Sequence, residues 1–325
     1  MGVYVLYYHR ICPKAPASDV ILPLFDWEMS YLCRRFQILS SSELIDYING
    51  DLILERPGVA ITFDDGWFDN FVYAWPVLKK YGLKATVFVS TGKIRTESSV
   101  RPTLEECWNG RLVLDILQRP KSVEEGFLGA LSGDLSEFLT WEELRVMRQS
   151  GVFDIQSHGV EHRKVFCGDR PDGVIKGKIS WSLLSANTDI KEGMPVYPAK
   201  SALTAKVYYP DGHGSGIWET EDEMKERIMG ELVESRDRIY SETGVKPIHF
   251  CWPWGQYSDI GIELAKEAGY EACYTTKAGT VTSNIDRFCI PRISTKGGKM
   301  TFIKRGLVYS NPYVSKVYEV MRSKE

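Results

Sequence analysis

One short stretch of this chain predicts a buried strand with acidic residues at its end: Val59-Ala60-Ile61-Thr62-Phe63-Asp64-Asp65-Gly66. Its β-branched and aromatic residues favour a strand, and the acids and glycine that follow are typical of a turn. A helical stretch then runs over 76–81 to Gly82, and a second strand-like run occupies 84–89. Strand, helix and strand in this order indicate a parallel sheet.

The same order of elements recurs along the rest of the chain. A capping-box sequence at 140–143 opens a helix that ends before the next strand-like run. We count at least five such units, with strands at 3–8, 152–156, 248–252 and 270–275 and helices at 221–243 and 260–268. The repetition predicts an α/β fold built around a barrel-like parallel sheet.

Two stretches interrupt this rhythm, at about 93–139 and 165–220. Loops of such length inside a compact domain are usually functional, so we interpret both as insertions over one face of the sheet. No linker or internal repeat separates independent units. We therefore expect residues 1–325 to form a single domain.

Composition and charge exclude several classes of protein. Hydrophobic residues make up 43% and charged residues 26% of the 325, which excludes disordered, collagen-like and membrane-spanning chains. The net charge is −3, so a nucleic-acid partner is not expected. Seven cysteines without a CxxC pair predict reduced thiols. Without a basic leader or a transmembrane segment, we expect a cytoplasmic protein.

Candidate ligands for a metal ion follow two of the predicted strands. Asp64 and Asp65 end one strand, and His158 and His162, four residues apart, follow another. Adjacent acids repel each other, and a cation would relieve that cost. A carboxylate with two imidazoles suits zinc or a similar divalent ion and leaves positions open for water and substrate. In a parallel barrel these residues would share one rim with Trp254.

Simpler interpretations of these residues stay open at this point. Asp-Asp-Gly is also ordinary turn chemistry, and two histidines four residues apart can be unrelated surface residues. His249 lies inside a strand pattern and is expected in the core, whereas His213 lies in a loop rich in glycine.

Three motifs in sequence order resemble those of the polysaccharide deacetylases with the NodB homology domain, carbohydrate esterase family 4. The segment 62–66 matches the TFDDG motif, and His158 to His162 is similar to H-[ST]-x-x-H. The segment 250–255 resembles R-x-P-Y-G. The resemblance covers most of the chain outside the two insertions.

Some positions depart from the family pattern. Gly159 replaces the Ser or Thr of the histidine motif, and Cys251 replaces the arginine of the third motif. The late histidine motif is missing, because the corresponding segment offers only Arg292. Tyr8-His9 is similar to an N-terminal segment of the permuted poly-N-acetylglucosamine deacetylases, whose catalytic histidine lies there.

The resemblance implies a deformed (β/α)7-type barrel with long inserted loops, and it implies roles for individual residues. Asp64 would be the general base, while Asp65, His158 and His162 would hold a divalent metal. Zinc is expected, with cobalt, nickel, manganese or iron as alternatives. His9 would protonate the leaving amine. The substrate and the oxyanion would be contacted by Trp254, through a backbone N–H, and by Trp252.

Arg292 is a further candidate, because Cys251 is too short and uncharged to orient a carboxylate. Arg292 follows the last recognisable strand, so we predict that it lies on the rim and takes over the missing arginine's contact with Asp64.

The implied reaction is metal-assisted removal of an N-acetyl group from a sugar or glycan precursor, in surface polysaccharide or glycolipid biosynthesis. A cytoplasmic location favours a lipid- or nucleotide-linked sugar as substrate. Two alternatives remain: an amidase or O-acetyl esterase acting on another substrate, and an inactive glycan-binding protein. The intact acids and histidines argue against the inactive protein.

Overall fold

The computed structural model describes residues 1–14, 20–211 and 215–322. Eight strands form its main sheet, and every strand pair in that sheet is parallel. They are β1 (Val3–Tyr8), β2 (Gln37–Leu39), β3 (Gly58–Phe63), β4 (Ala85–Val89), β5 (Phe153–Ser157), β6 (His249–Cys251), β7 (Ala272–Tyr274) and β8 (Ile293–Ser294). Their spatial order is β7-β6-β5-β4-β3-β1-β8, and β2 pairs with the first half of β3.

The sheet curls until its two ends approach each other. Ile290 forms a parallel bridge with Tyr274 of β7, and Ile293 of β8 pairs with Leu6 of β1. Side chains from several strands, including Val5 and Phe88, fill the interior. The strands are almost continuously apolar because both faces are buried, as expected for parallel sheets under helices. The predicted deformed (β/α) barrel is confirmed.

Eleven helices are found in the described residues, most of them around the barrel. They are α1 (Leu22–Arg35), α2 (Ser41–Asn49), α3 (Trp75–Tyr81), α4 (Leu104–Trp108), α5 (Val123–Leu131), α6 (Trp141–Gln149), α7 (Trp181–Leu184), α8 (Glu221–Thr243), α9 (Asp259–Glu267), α10 (Lys299–Tyr309) and α11 (Pro312–Arg322). None of the helices in the described residues is both long enough and apolar enough to span a lipid bilayer.

Local sequence signals explain where the predicted helices begin and end. Capping boxes at Thr140 and Thr220 start α6 and α8, and Gly244 ends α8 in a left-handed conformation. The helix predicted at 76–81 is α3, preceded by a π-helical turn at Asn70–Ala74. Helices α1, α2, α10 and α11 were not predicted, and α1 lacks a side-chain cap at its start.

The two predicted insertions pack against each other. The first contains α4 and α5, and the second contains α7 and short antiparallel strand pairs. The backbone N–H of Trp181 donates to Glu124 Oε1 at 2.9 Å, and the rings of Phe127 and Trp181 stack with centroids 3.9 Å apart. One insertion therefore packs against the other through an aromatic contact.

Candidate active site

The carboxyl ends of the parallel strands collect the predicted site residues. His9 follows β1, Asp64 and Asp65 follow β3, and His158 follows β5. Trp254 follows β6 in a short turn. Parallel strands present these ends at one face of the barrel, so residues far apart in sequence become neighbours.

Asp64 is fully engaged by Arg292. The guanidinium donates two parallel hydrogen bonds, Nη1 to Oδ1 and Nη2 to Oδ2, each of 2.7 Å. Burial raises the pKa of the Asp64 carboxyl, but the charge of Arg292 outweighs it, so the pKa lies below its usual range. The contact that the sequence argument required is present, and it keeps Asp64 ionised.

Arg292 reaches Asp64 from inside the barrel and not from the rim. It follows β7 in sequence, as predicted, and immediately precedes β8, a strand that the sequence did not predict. Its Nε donates to the carbonyl of Thr275, Nη1 also donates to Thr62 Oγ1, and Nη2 contacts Cys251 Sγ at 2.9 Å. The small Cys251 side chain lies where the family motif has its own arginine, and this leaves space for Arg292.

Asp65, His158 and His162 bring three possible metal ligands together. One ligand atom from each lies within 4.8 Å of the others. The Nε2 atoms of both histidines lie 3.4 Å from Asp65 Oδ1. Nδ1 of His158 lies 2.7 Å from the carbonyl oxygen of Cys251, to which it donates when Nε2 is the free nitrogen. The four-residue spacing works through a turn here, not through a helix.

Two observations show that this cluster fits a divalent cation. Asp65 Oδ1 is buried and has no hydrogen-bond partner within the described residues. An ionised carboxylate oxygen in that position is costly unless a cation accompanies it. Burial lowers the pKa of His162 to about 4, although the charge of Asp65 opposes this, so the ring is neutral at pH 7 and offers a lone pair. A carboxylate and two imidazoles are suitable ligands for zinc and similar ions.

The second oxygen of Asp65 is oriented by Trp67. The indole Nε1–H donates to Asp65 Oδ2 at 2.9 Å. The indole ring stacks on Phe138 with centroids 4.4 Å apart, and the Arg10 guanidinium lies 4.4 Å from the ring centroid. Arg10 is itself buried and paired with Asp69 and Glu137. The sequence argument did not find this support, although Trp67 directly follows the acidic motif.

Glu231 of α8 braces the loop that carries the histidines. Its Oε2 accepts hydrogen bonds from the backbone N–H groups of Val160 at 2.8 Å and Glu161 at 3.3 Å. Gly159 adopts φ +81°, where a Ser or Thr would be strained. The carboxylate therefore stabilises a loop that lacks the hydroxyl of the family motif.

His9 lies close to the candidate metal centre. The backbone N–H of Asp64 donates to the carbonyl of Tyr8, the residue before His9, at 3.0 Å. The backbone carbonyl of His9 accepts a 2.9 Å hydrogen bond from Asn70, and its ring makes an edge contact with Tyr7. The half-buried ring is positioned near both acids, and the role of proton donor remains a prediction.

The two tryptophans of the third motif have different surroundings. Trp252 is fully buried in an apolar cluster with Phe250 and Leu264, and its Nε1 donates to the carbonyl of Phe288. The prediction that its side chain contacts substrate is wrong, because strand alternation turns that side chain into the core. His249 is also buried, as expected for a core histidine. His213 lies outside the described residues.

Trp254 belongs to an aromatic wall beside the metal ligands, formed by Trp254, Trp181 and Phe127. Trp181 stacks on Trp254 with centroids 4.6 Å apart, and the His162 ring lies 5.0 Å from Trp254 and 5.2 Å from Phe127. The Lys164 ammonium lies 4.3 Å from the Trp254 ring centroid. Both insertions contribute to this wall, in which Phe127 and Trp181 are buried and Trp254 is partly exposed.

A parallel barrel whose mouth holds an Asp-His-His cluster beside an arginine-bound aspartate is the arrangement of a hydrolase that uses a metal ion. The family model for polysaccharide deacetylase matches residues 53–273. The chain belongs to the polysaccharide deacetylase family.

A curated relative is the poly-beta-1,6-N-acetyl-D-glucosamine N-deacetylase of Escherichia coli (strain K12). It is 24% identical to this chain over 259 residues, which are 79% of this chain and 30% of the relative. The chain therefore matches less than a third of that protein's length.

Solved structures of related proteins share the fold. A de-N-acetylase from Aggregatibacter actinomycetemcomitans has a TM-score of 0.65 and 20% identity, covering 93% of this chain and 99% of that one. The BpsB deacetylase domain from Bordetella bronchiseptica has a TM-score of 0.61 and 21% identity, covering 90% and 95%. At these sequence identities, the similarity shows only a shared fold.

Proposed function

We propose that this protein hydrolyses the N-acetyl group of an acetamido sugar within a glycan or glycan precursor, with zinc held by Asp65, His158 and His162. The observation that carries the proposal is the pairing of this cluster with the Arg292-bound Asp64 at one strand end. When bound, the metal would supply Lewis-acid polarisation of the acetyl carbonyl and would favour ionisation of water.

Asp64 would accept the proton of the attacking water. The two hydrogen bonds from Arg292 fix the plane of the carboxylate, so its lone pairs keep one direction throughout the reaction. Thr62 and Thr275 hold the guanidinium in turn. These contacts hold the carboxylate in a fixed position, and general-base catalysis requires a positioned base.

His9 would deliver a proton to the departing amine nitrogen. An amine is a poor leaving group at neutral pH, and histidine is the side chain whose ordinary pKa best matches this task. His9 stands at the end of β1 beside both acids, on the same face of the barrel. The proton taken by Asp64 and the proton given by His9 then balance the hydrolysis of the amide.

The aromatic wall would receive the sugar. Trp181 stacks on Trp254 next to His162, and the partly exposed Trp254 ring offers an apolar surface. The relative from Escherichia coli is named for poly-beta-1,6-N-acetyl-D-glucosamine, which supports an N-acetylated glucosamine chain or its precursor. A lipid- or nucleotide-linked precursor, handled in the cytoplasm during surface-glycan assembly, is the specific form that we propose.

The test uses purified protein and oligomers of β-linked N-acetylglucosamine, with release of acetate and of free amine measured together. Equal amounts of both products, lost on chelation and restored by zinc, support the proposal. Release of acetate from O-acetylated sugars without attack on the amide would assign the protein as an esterase instead. Glycan binding by the zinc-loaded protein without any acetate release would contradict the enzymatic function.

A further inference from the structure

A cavity lies where β8 meets the C-terminal helices α10 and α11. Its volume is about 490 Å³. Tyr7, Arg292 and Ser294 line it from the barrel, and Lys304, Arg305 and Tyr318 line it from the helices. None of the functions discussed above uses it.

The lining of this cavity is polar and positively charged. It includes three basic side chains and six hydroxyl groups, and none of its lining residues is acidic. The whole chain has more acidic than basic residues, 43 against 40, so an acid-free lining runs against the overall composition. Of the three cations, Arg292 is paired with Asp64, which leaves Lys304 and Arg305. Such a lining is complementary to an anion that accepts many hydrogen bonds.

The two cations on α10 are available to a ligand. Within the described residues neither Lys304 nor Arg305 forms a carboxylate ion pair, and the Lys304 ammonium only lies 5.2 Å from the Tyr318 ring centroid. Arg305 Nη1 donates to the carbonyls of Ser294 and Lys296, which fixes the guanidinium at the cavity wall. Burial raises the pKa of the nearby Glu28 to about 8, so that carboxyl does not neutralise Arg305 at pH 7.

The cavity is one side chain away from the candidate active site. Arg292 lies 4.9 Å from the centroid of the Tyr7 ring, and Tyr7 contacts His9 edge-on at 5.8 Å. The N–H groups of Arg292 already bind Asp64, Thr62, Thr275 and Cys251. Direct contacts to a ligand therefore come from Lys304, Arg305 and the hydroxyl groups, because the charge of Arg292 is already paired with Asp64.

We propose that this cavity binds a phosphate or diphosphate group. Phosphate oxygens accept the several hydrogen bonds that the lining donates, and their charge matches the lysine and arginine. That the phosphate belongs to the carrier of the sugar substrate rests on the proposed function. Binding of the phosphate group itself does not.

The outer face of α11 indicates where a lipid carrier would lie. Tyr313, Val314, Val317, Val320 and Met321 form one apolar stripe along the helix and are all exposed, with Tyr313 85% accessible. On the side of the helix that faces the protein, Ser315 is buried and donates to the exposed Glu319 at 2.8 Å, and Tyr318 packs half-buried against the core. An exposed apolar stripe beside a basic cavity suits the boundary between lipid headgroups and acyl chains.

The first test is a calorimetric titration of the metal-loaded protein with inorganic pyrophosphate. Lys304→Ala should weaken binding about tenfold, which corresponds to one lost charge-assisted contact. Lys304→Arg should retain most of the affinity. Lys299→Ala, on the same helix but over Trp27, should bind like the unaltered protein.

The Asp65→Ala variant separates this cavity from the metal centre, where pyrophosphate could also bind. Retained binding in Asp65→Ala with loss in Lys304→Ala supports the proposal. No detectable binding at millimolar pyrophosphate overturns it, as does binding that survives Lys304→Ala or disappears in Asp65→Ala. The titration needs no catalysis, so a protein that binds pyrophosphate but does not release acetate would contradict only the proposed function.

Two further arms distinguish the source of the phosphate. Sedimentation with phosphatidylcholine vesicles that contain phosphatidic acid, reduced by both Lys304→Ala and Val317→Ser, assigns the site to a lipid-borne phosphate. Pyrophosphate binding without vesicle binding assigns it to a soluble diphosphate, such as that of a nucleotide-linked sugar. Either result supports a phosphate site.

Discussion

Asp64 and Asp65 are adjacent in sequence and equally buried, yet their surroundings differ completely. Both oxygens of Asp64 are bound by one guanidinium, whereas Asp65 has one oxygen bound by an indole and one without a hydrogen-bond partner in the described residues. A carboxylate that is satisfied within the protein is held for one task in one position. A buried carboxylate oxygen without a hydrogen-bond partner is available to bind a group from outside the chain, such as a metal ion.

The largest effect is expected from removing the unsatisfied carboxylate. Asp65→Ala should reduce bound zinc from one equivalent to a trace and lower kcat/KM at least about 10³-fold, because a metal ligand is lost. Metal content by elemental analysis and acetate release measure the two effects. Asp51→Asn, in an exposed loop, is the control; an Asp65→Ala protein with full zinc content would refute the ligand assignment.

Arg292→Lys disturbs the hydrogen bonding of the Asp64 carboxylate and keeps the positive charge at position 292. Lysine cannot form the two parallel hydrogen bonds, so we expect kcat to fall about 100-fold with zinc content unchanged. Kinetics and metal analysis on the same preparation test this, with Arg34→Lys as a surface control. An equal loss of zinc would show that Arg292 maintains the fold of the site and not the orientation of Asp64.

His9→Asn tests whether His9, and neither of the two aspartates, donates the proton to the leaving amine. We expect a loss of about 100-fold on an N-acetyl substrate, in the usual range for general acid catalysis. An activated acetate ester, whose leaving group needs no proton, should lose far less. Equal losses on the amide and the ester would assign His9 to positioning of the substrate or the metal.

Trp67→Phe removes only the hydrogen bond to Asp65 Oδ2 and keeps most of the ring packing. Zinc affinity should fall about 10- to 100-fold, as for other groups that orient a metal ligand. Competition with a chromophoric chelator measures it, and Trp27→Phe is the matched control. An unchanged affinity would show that the indole N–H does not orient Asp65 for metal binding.

The smallest effect is expected at the loop that carries the histidines. Glu231→Gln keeps an acceptor but removes its charge, so we expect about 1 kcal/mol lower stability and only a few-fold weaker zinc binding. Chemical denaturation and chelator competition measure these quantities. Glu234→Gln, three residues later on α8, should change neither; a loss of zinc as large as in Trp67→Phe would place Glu231 among the main supports of the metal site.

Features encoded in contiguous sequence were predictable. The strand before Asp64 and the capping box before α6 both depend on residues close together in the chain. Because such local signals predicted where the strands end, they also predicted which site residues follow a strand. The barrel then required only the rule that parallel strand ends share one face. This is why Asp64, Asp65 and His158 were placed correctly.

Features that depend on long-range packing were not predictable. Arg10 pairs with Glu137 across 127 residues, and Trp181 reaches the site through an insertion without periodic sequence. The side-chain direction of Trp252 depended on the exact strand end. Arg292 was identified by the absence of another arginine, but its approach from inside the barrel depends on how the sheet closes.

Three residues of the candidate site, Asp65, His162 and Trp254, adopt positive φ angles of 75°, 53° and 64°. Non-glycine residues in this region carry a conformational penalty on the order of 1 kcal/mol each. Selection for thermostability alone would therefore favour glycine at these positions and erase the ligands and the aromatic wall. Efforts to make this protein more robust should leave those three positions untouched and look to the outer helices, where a gain in stability does not alter the candidate site.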